Sequence, residues 1–170
     1  MRSGGYASVL RRWSAIPLRL IVGYGFVAHG YAKIMNGPEH FAATLHALGV
    51  PSPDLTAWVT IGFELVGGIA VLAGAWIPLV SLPLAAILLV AAITVHLPFG
   101  FSSIKLREVT AAGPQFGPPG YEINLLYLAA LATLVLGGSG PLALDQYLAR
   151  SSRTATQNGR GRNIWDARRV

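Results

Sequence analysis

The sequence predicts an all-α fold: an integral membrane four-transmembrane-helix bundle with a short outer interfacial helix and a disordered basic tail. Three observations predict it. The chain has 170 residues, 53% hydrophobic and only 12% charged, with a mean hydropathy of +0.53, whereas soluble domains carry about 25% charged residues. Four apolar runs stand out, at residues 16–34, 55–77, 79–97 and 121–137, each near the ~20 residues that span a bilayer core. Basic residues flank those runs: Arg2, Arg11 and Arg12 precede the first, and Arg150, Arg153, Arg160, Arg162, Arg168 and Arg169 follow the last.

Helices are required for the four runs because a lone backbone in lipid must satisfy its own hydrogen bonds. The first run is a retained helix rather than a signal peptide, since Arg19 interrupts it and no small-residue cleavage pattern follows. Pro78 divides the second run from the third, so Ala75-Trp76-Ile77-Pro78 reads as a tight hairpin turn. Pro83 then falls early in the third helix.

The loop at 35–54 holds a short helix that starts at Asn36-Gly37-Pro38 and stops at Gly49 and Pro51. Its Phe41, Leu45 and Leu48 recur at helical spacing, apolar side towards the membrane. The loop at 98–120 is rich in glycine and proline, with a short extended segment at Ser103–Thr110. It reads equally as a lid or as a connector.

An even number of spans puts both ends on one side, and the excess of basic residues puts that side in the cytoplasm. Residues 1–13 are then a cytoplasmic N-terminus, 14–148 the transmembrane domain and 149–170 the tail. The opposing loops carry only Lys33, Lys105 and Arg107. The net charge of +6 is thus a matter of membrane orientation, with the lipid bilayer as partner and no nucleic acid. The absence of cysteine excludes disulfides, thiol catalysis and thiolate-bound metals in this chain.

Ionisable groups inside a membrane usually face the bundle interior or water. Here they are Arg19, His29 and Lys33 on the first helix, Glu64 on the second, His96 on the third and Glu122 on the fourth. Arg19, His29 and Lys33 fall within an arc of about 80° at ~100° per residue, with Phe26 inside it and Gly30 beside it. Counting ~1.5 Å per residue, Glu64 and His29 lie near mid-membrane, with Lys33, His96 and Glu122 nearer the outer rim and Arg19 nearer the inner one. That layering predicts a Lys33–Glu122 ion pair and a His29–Glu64 hydrogen bond. These residues either lock the helices together or line a polar pocket opening outward. Two histidines without a spacing motif do not make a metal or haem site, and no metal is expected. Glycines at 23, 25 and 30 and at 62, 67, 68 and 74 permit close helix approach.

The order of these features resembles the DoxX family of small bacterial membrane proteins. Arg19, Gly23, Phe26, His29-Gly30 and Lys33 match its first-helix motif. Phe41, Leu45 and Leu48-Gly49-Val50-Pro51 match the segment after it, and Glu64, Gly67-Gly68, Leu72 and Gly74 match its second-helix motif. Gly120-Tyr121-Glu122, Gly138, Gly140 and Leu144-Asp145 complete the series. The resemblance implies a multi-pass protein of the bacterial inner membrane and an association with redox chemistry. It implies a subunit or accessory of a quinone-linked oxidoreductase or redox-stress complex, working with a redox partner or as a homo-oligomer. No self-contained catalytic motif is present and no intrinsic cofactor is expected; the resemblance leaves room for a quinone, bound either here or in a partner. A small solute or ion transporter and a non-catalytic assembly partner are the alternatives.

Overall fold

The computed structural model describes Leu10 and residues 13–147. The basic tail and most of the N-terminal segment lie outside the described residues. The chain is mostly helical. In order it forms α1 (Ala15–Met35), α2 (Pro38–Ala47), α3 (Pro53–Ala73) and α4 (Ile77–Ala91), then strands β1 (Leu106–Thr110) and β2 (Gly113–Phe116), and α5 (Glu122–Gly137). Helix α4 runs on through one π turn, Ala92–His96, and a 3-10 turn, Leu97–Phe99. Two helical stretches, Pro53–Ala73 and Ile77–Phe99, are long and apolar enough to cross a membrane, and Glu122–Gly137 is a shorter apolar helix.

Local signals set the helix ends. Proline opens α2, α3 and α4, where its missing N–H leaves no bond unmade. Two helices stop in the same way. Gly49 follows α2 and Gly74 follows α3, each with a positive φ. Val50 N donates to Leu45 O and Gly49 N to His46 O, while Ala75 N donates to Ala70 O and Gly74 N to Val71 O. Each pair of bonds satisfies carbonyls that the helix leaves open. The second apolar run therefore stops being helical at Ala73 rather than Ile77, and Ile77 belongs to the next helix. Trp76 adopts a left-handed conformation in the turn, and its N–H donates to the Asp145 carboxylate at 3.1 Å.

The long helices pack in a ring, α1 against α3, α3 against α4, α4 against α5 and α5 against α1. The α1–α3 seam is the closest. A Cβ on Gly23 would lie 2.8 Å from the carbonyl oxygen of Gly68, and a Cβ on Gly68 would lie 2.8 Å from that of Gly23. Backbones that meet this closely gain dispersion contact where lipid supplies no hydrophobic drive. At the end of the bundle where α3 turns into α4, Val22, Val71, Ile77, Leu84, Leu131 and Leu134 form a dry core. The short helix α2 turns part of its apolar side towards the bundle. Its Ala42 and Leu45 pack on Ala57 of α3, with Phe41 and Val50 alongside.

The long second loop is a β-hairpin, not a single extended segment. Strand β1 begins at Leu106, later than the expected Ser103, and pairs antiparallel with β2. Backbone bonds from Gly120 N to Ser102 O, Tyr121 N to Gly100 O and Glu122 N to Phe101 O close its base.

A side chain at the glycine seam would wedge α1 from α3. Gly68→Val is expected to destabilise the protein by about 1–3 kcal/mol, as overpacked sites do, and to lower its melting temperature in mild detergent. Gly62 faces open space, so Gly62→Ala should leave the melt unchanged.

Candidate functional site

The hairpin end of the bundle opens into a cavity of about 670 Å³. Helices α1 to α5 each contribute to its walls, which are mostly apolar. Phe26 and Tyr127 lie deepest, edge to face with ring centroids 5.7 Å apart. Gly25 is what admits Tyr127, since any Cβ there would collide with the tyrosine hydroxyl. Ile87, Val90 and Ile123 form apolar wall on α4 and α5, and Phe41 and Leu45 of α2, with Leu48 just after it, close the side nearest the loops.

One ion pair sits on this wall. Lys33 Nζ donates to both carboxylate oxygens of Glu64 at 2.5 Å. The Glu64 side chain is 5% exposed and that of Lys33 22%. The ammonium also lies 4.9 Å from the centroid of the Phe41 ring, over its negative face. Gly30 lets α3 come close here, because a Cβ would lie 2.9 Å from Leu65 Cγ and 3.2 Å from Glu64 Cβ. A charge pair of this kind persists in an apolar setting only when both partners are satisfied at short range.

The pairing differs from the one expected from depth along the helices. Lys33 meets Glu64, not Glu122. Its four-carbon stem lets the ammonium reach back along α1 to a carboxylate placed deeper than its own Cα. Glu122 instead accepts a hydrogen bond from Ser103 N at 2.9 Å and braces the base of the hairpin. Lys33 has also taken the partner expected for His29. Among the described residues His29 has no hydrogen-bond partner, and its ring lines the cavity. His96 lines it too, with Nδ1 3.1 Å from Pro119 O. Four of the residues singled out from sequence, His29, Lys33, Glu64 and His96, thus meet around one cavity.

Arg19 and Glu122 lie outside the cavity lining. Arg19 is buried at the opposite end of the bundle and answers carbonyls, not a carboxylate. It donates to Val71 O at 3.2 Å and Leu72 O at 2.5 Å on the last turn of α3, and to Ser139 O at 3.1 Å and Pro141 O at 3.3 Å beyond α5. A cation is favoured at a helix C-terminus, where the carbonyls lack partners.

Asn124 was not among the sequence candidates. It is buried on α5, lines the cavity and donates from Nδ2 to Leu88 O at 3.3 Å, tying α5 to α4. Thr56, Thr60 and Thr94 also line the space. Its signal in the sequence is a lone amide in an apolar helix, which carries no charge to mark it out.

Fold and site together define a helical membrane protein with a polar feature set into an apolar interior cavity. A match to the DoxX family covers residues 14–97, and the chain belongs to that family. No curated protein and no solved structure matches the chain.

The pair Lys33–Glu64 is best tested by a double-mutant cycle. Removing either partner of a buried pair typically destabilises by about 3–5 kcal/mol, while removing both is far milder. Lys33→Met and Glu64→Gln are each expected to lower the melting temperature clearly, and the double variant to recover most of the loss. Additive losses would show that the two groups act separately.

Proposed function

We propose that this chain is a subunit or accessory of a quinone-linked membrane oxidoreductase or redox-stress complex, and that its cavity takes the quinone headgroup. The observation that carries the reading is the Lys33–Glu64 pair on the wall of a mostly apolar cavity. A quinone needs apolar surface for its ring and prenyl chain and a few polar groups to fix its carbonyls. Phe26, Tyr127, Ile87 and Ile123 offer the surface. Lys33, His29 and Asn124 offer donors on the same cavity. The donor set therefore fits the group.

When bound, a quinone supplies reversible transfer of electrons together with protons. The residues of this chain would bind it, orient it and handle protons beside it. Glu64 is the carboxylate placed to relay a proton, and Lys33 holds it in place. His29, with an unpartnered imidazole, is the second group suited to proton exchange.

The same reading places α1, α3, α4 and α5 across a bacterial inner membrane, with both termini in the cytoplasm. Helix α1 is the doubtful span on charge alone, since it carries Arg19 and Lys33. Both charges are answered inside the protein, by four carbonyls and by Glu64. That removes the usual objection to charge at membrane depth. A redox partner or a second copy of the chain would complete the assembly.

Titrating a short-chain quinone into the detergent-purified protein should shift its melting temperature upward in proportion to quinone occupancy. The shift should shrink in Glu64→Gln and in His29→Leu. No shift, or one unchanged in both variants, would count against the site. Liposome flux of ions or small solutes, with no quinone effect, would favour a transporter instead. Topology has a separate test: a single cysteine at Lys105 should react with a membrane-impermeant maleimide in intact cells, and one placed beyond residue 149 only after lysis.

A further inference from the structure

The β-hairpin has a feature that neither the cavity nor the bundle requires. Cross-strand partners in an antiparallel pair share a face, and successive residues alternate. Leu106 is opposite Phe116, Glu108 opposite Gln115, Val109 opposite Pro114 and Thr110 opposite Gly113, with an irregularity between Leu106 and Glu108. Leu106 and Val109 are three apart, so a regular strand would place them on opposite faces. The extra residue, Arg107, shifts the phase. Leu106, Val109, Pro114 and Phe116 come to share one face, while Glu108, Thr110 and Gln115 share the other.

The apolar face packs on no core. Leu106 and Phe116 are each 58% exposed and Val109 73%. An isolated two-stranded hairpin is marginal in water, and an exposed apolar patch marks a contact surface.

We propose that this hairpin is an interfacial anchor, with its apolar face in the headgroup–acyl boundary of the lipid bilayer. Both its ends are tied to the membrane part of the chain, to the end of the α4 extension at Phe99 and to α5 at Glu122. Exposed apolar residues continue along the chain from Ile93 and Leu97 through Phe99, Phe101 and Ile104 to Leu106. The surface that α4 offers to lipid thus runs on into the hairpin. Phe101 and Tyr121 stack edge to face at its base, centroids 5.7 Å apart, and amphipathic aromatics such as Tyr121 favour that depth of a bilayer. Lys105 and Arg107, in the same segment, complement anionic headgroups. The two strand edges carry unpaired backbone groups, which hold the hairpin at the interface and out of the hydrocarbon.

The chain has no cysteine, so single labels can be placed cleanly. Val109→Cys, Phe116→Cys and Gln115→Cys are each labelled with an environment-sensitive fluorophore in the full chain. Each is then reconstituted in vesicles of phosphatidylethanolamine and phosphatidylglycerol. The labels at 109 and 116 should be blue-shifted, lose intensity with lipids brominated near the glycerol end of the acyl chain, and resist aqueous iodide. The label at 115 should do the reverse. Two positions on the apolar face guard against a local effect of one substitution. Equal iodide quenching at all three positions would overturn the proposal. Labels at 109 and 116 that are open in vesicles but shielded in native membranes would assign the face to a protein partner, and would also overturn it.

Discussion

The close approach of α1 and α3 along Gly23 and Gly68 is the constraint on which the rest depends. Bare backbones on both sides bring the helices near enough for side chains at both ends of the seam to cross it. At one end Arg19 reaches the last carbonyls of α3. At the other Lys33 reaches Glu64. Neither bond would close if the helices stood a side chain further apart. The seam thus decides where both charges of α1 are satisfied, and without that the helix would carry two unanswered cations.

Arg19 also explains the segment after α5. Its guanidinium joins Val71 and Leu72 to Ser139 and Pro141, and Asp145 takes the Trp76 N–H and donates its own N–H to Gly74 O. The α3–α4 turn and the chain after α5 are held to each other through both groups. That end of the bundle is tied by polar bonds over a dry core. The cavity lies at the other end, where the roof is α2 and the loops rather than interlocked long helices.

Much of this was legible in the sequence because bilayer length and apolar composition select helices almost alone. The glycines of α1 and α3 were equally plain, since close packing needs them. The errors have physical causes. Apolar composition cannot see a glycine stop, so the second run extends past Gly74 to Ile77. Depth counted along an axis ignores side-chain reach, so it pairs Lys33 with Glu122. The hairpin was invisible because a period of two fails where Arg107 is inserted, so Leu106 and Val109 look unrelated until their cross-strand partners are known. Asn124 is legible only as a neutral amide, without the charge that marks the other polar groups of the helices.

The Lys33–Glu64 pair also bears on what the cavity can hold. A lone carboxylate or ammonium on that wall would favour a ligand of opposite charge. Two charges in bidentate contact at 2.5 Å present almost no net charge to the space beside them. What remains is a strong local dipole, an unpartnered imidazole at His29 and the free carbonyl side of Asn124, set among apolar side chains. That combination disfavours ions, which would have to break the pair to gain a partner. It favours a neutral molecule with a few polar atoms and a large apolar body, one that the pair can orient without itself being broken.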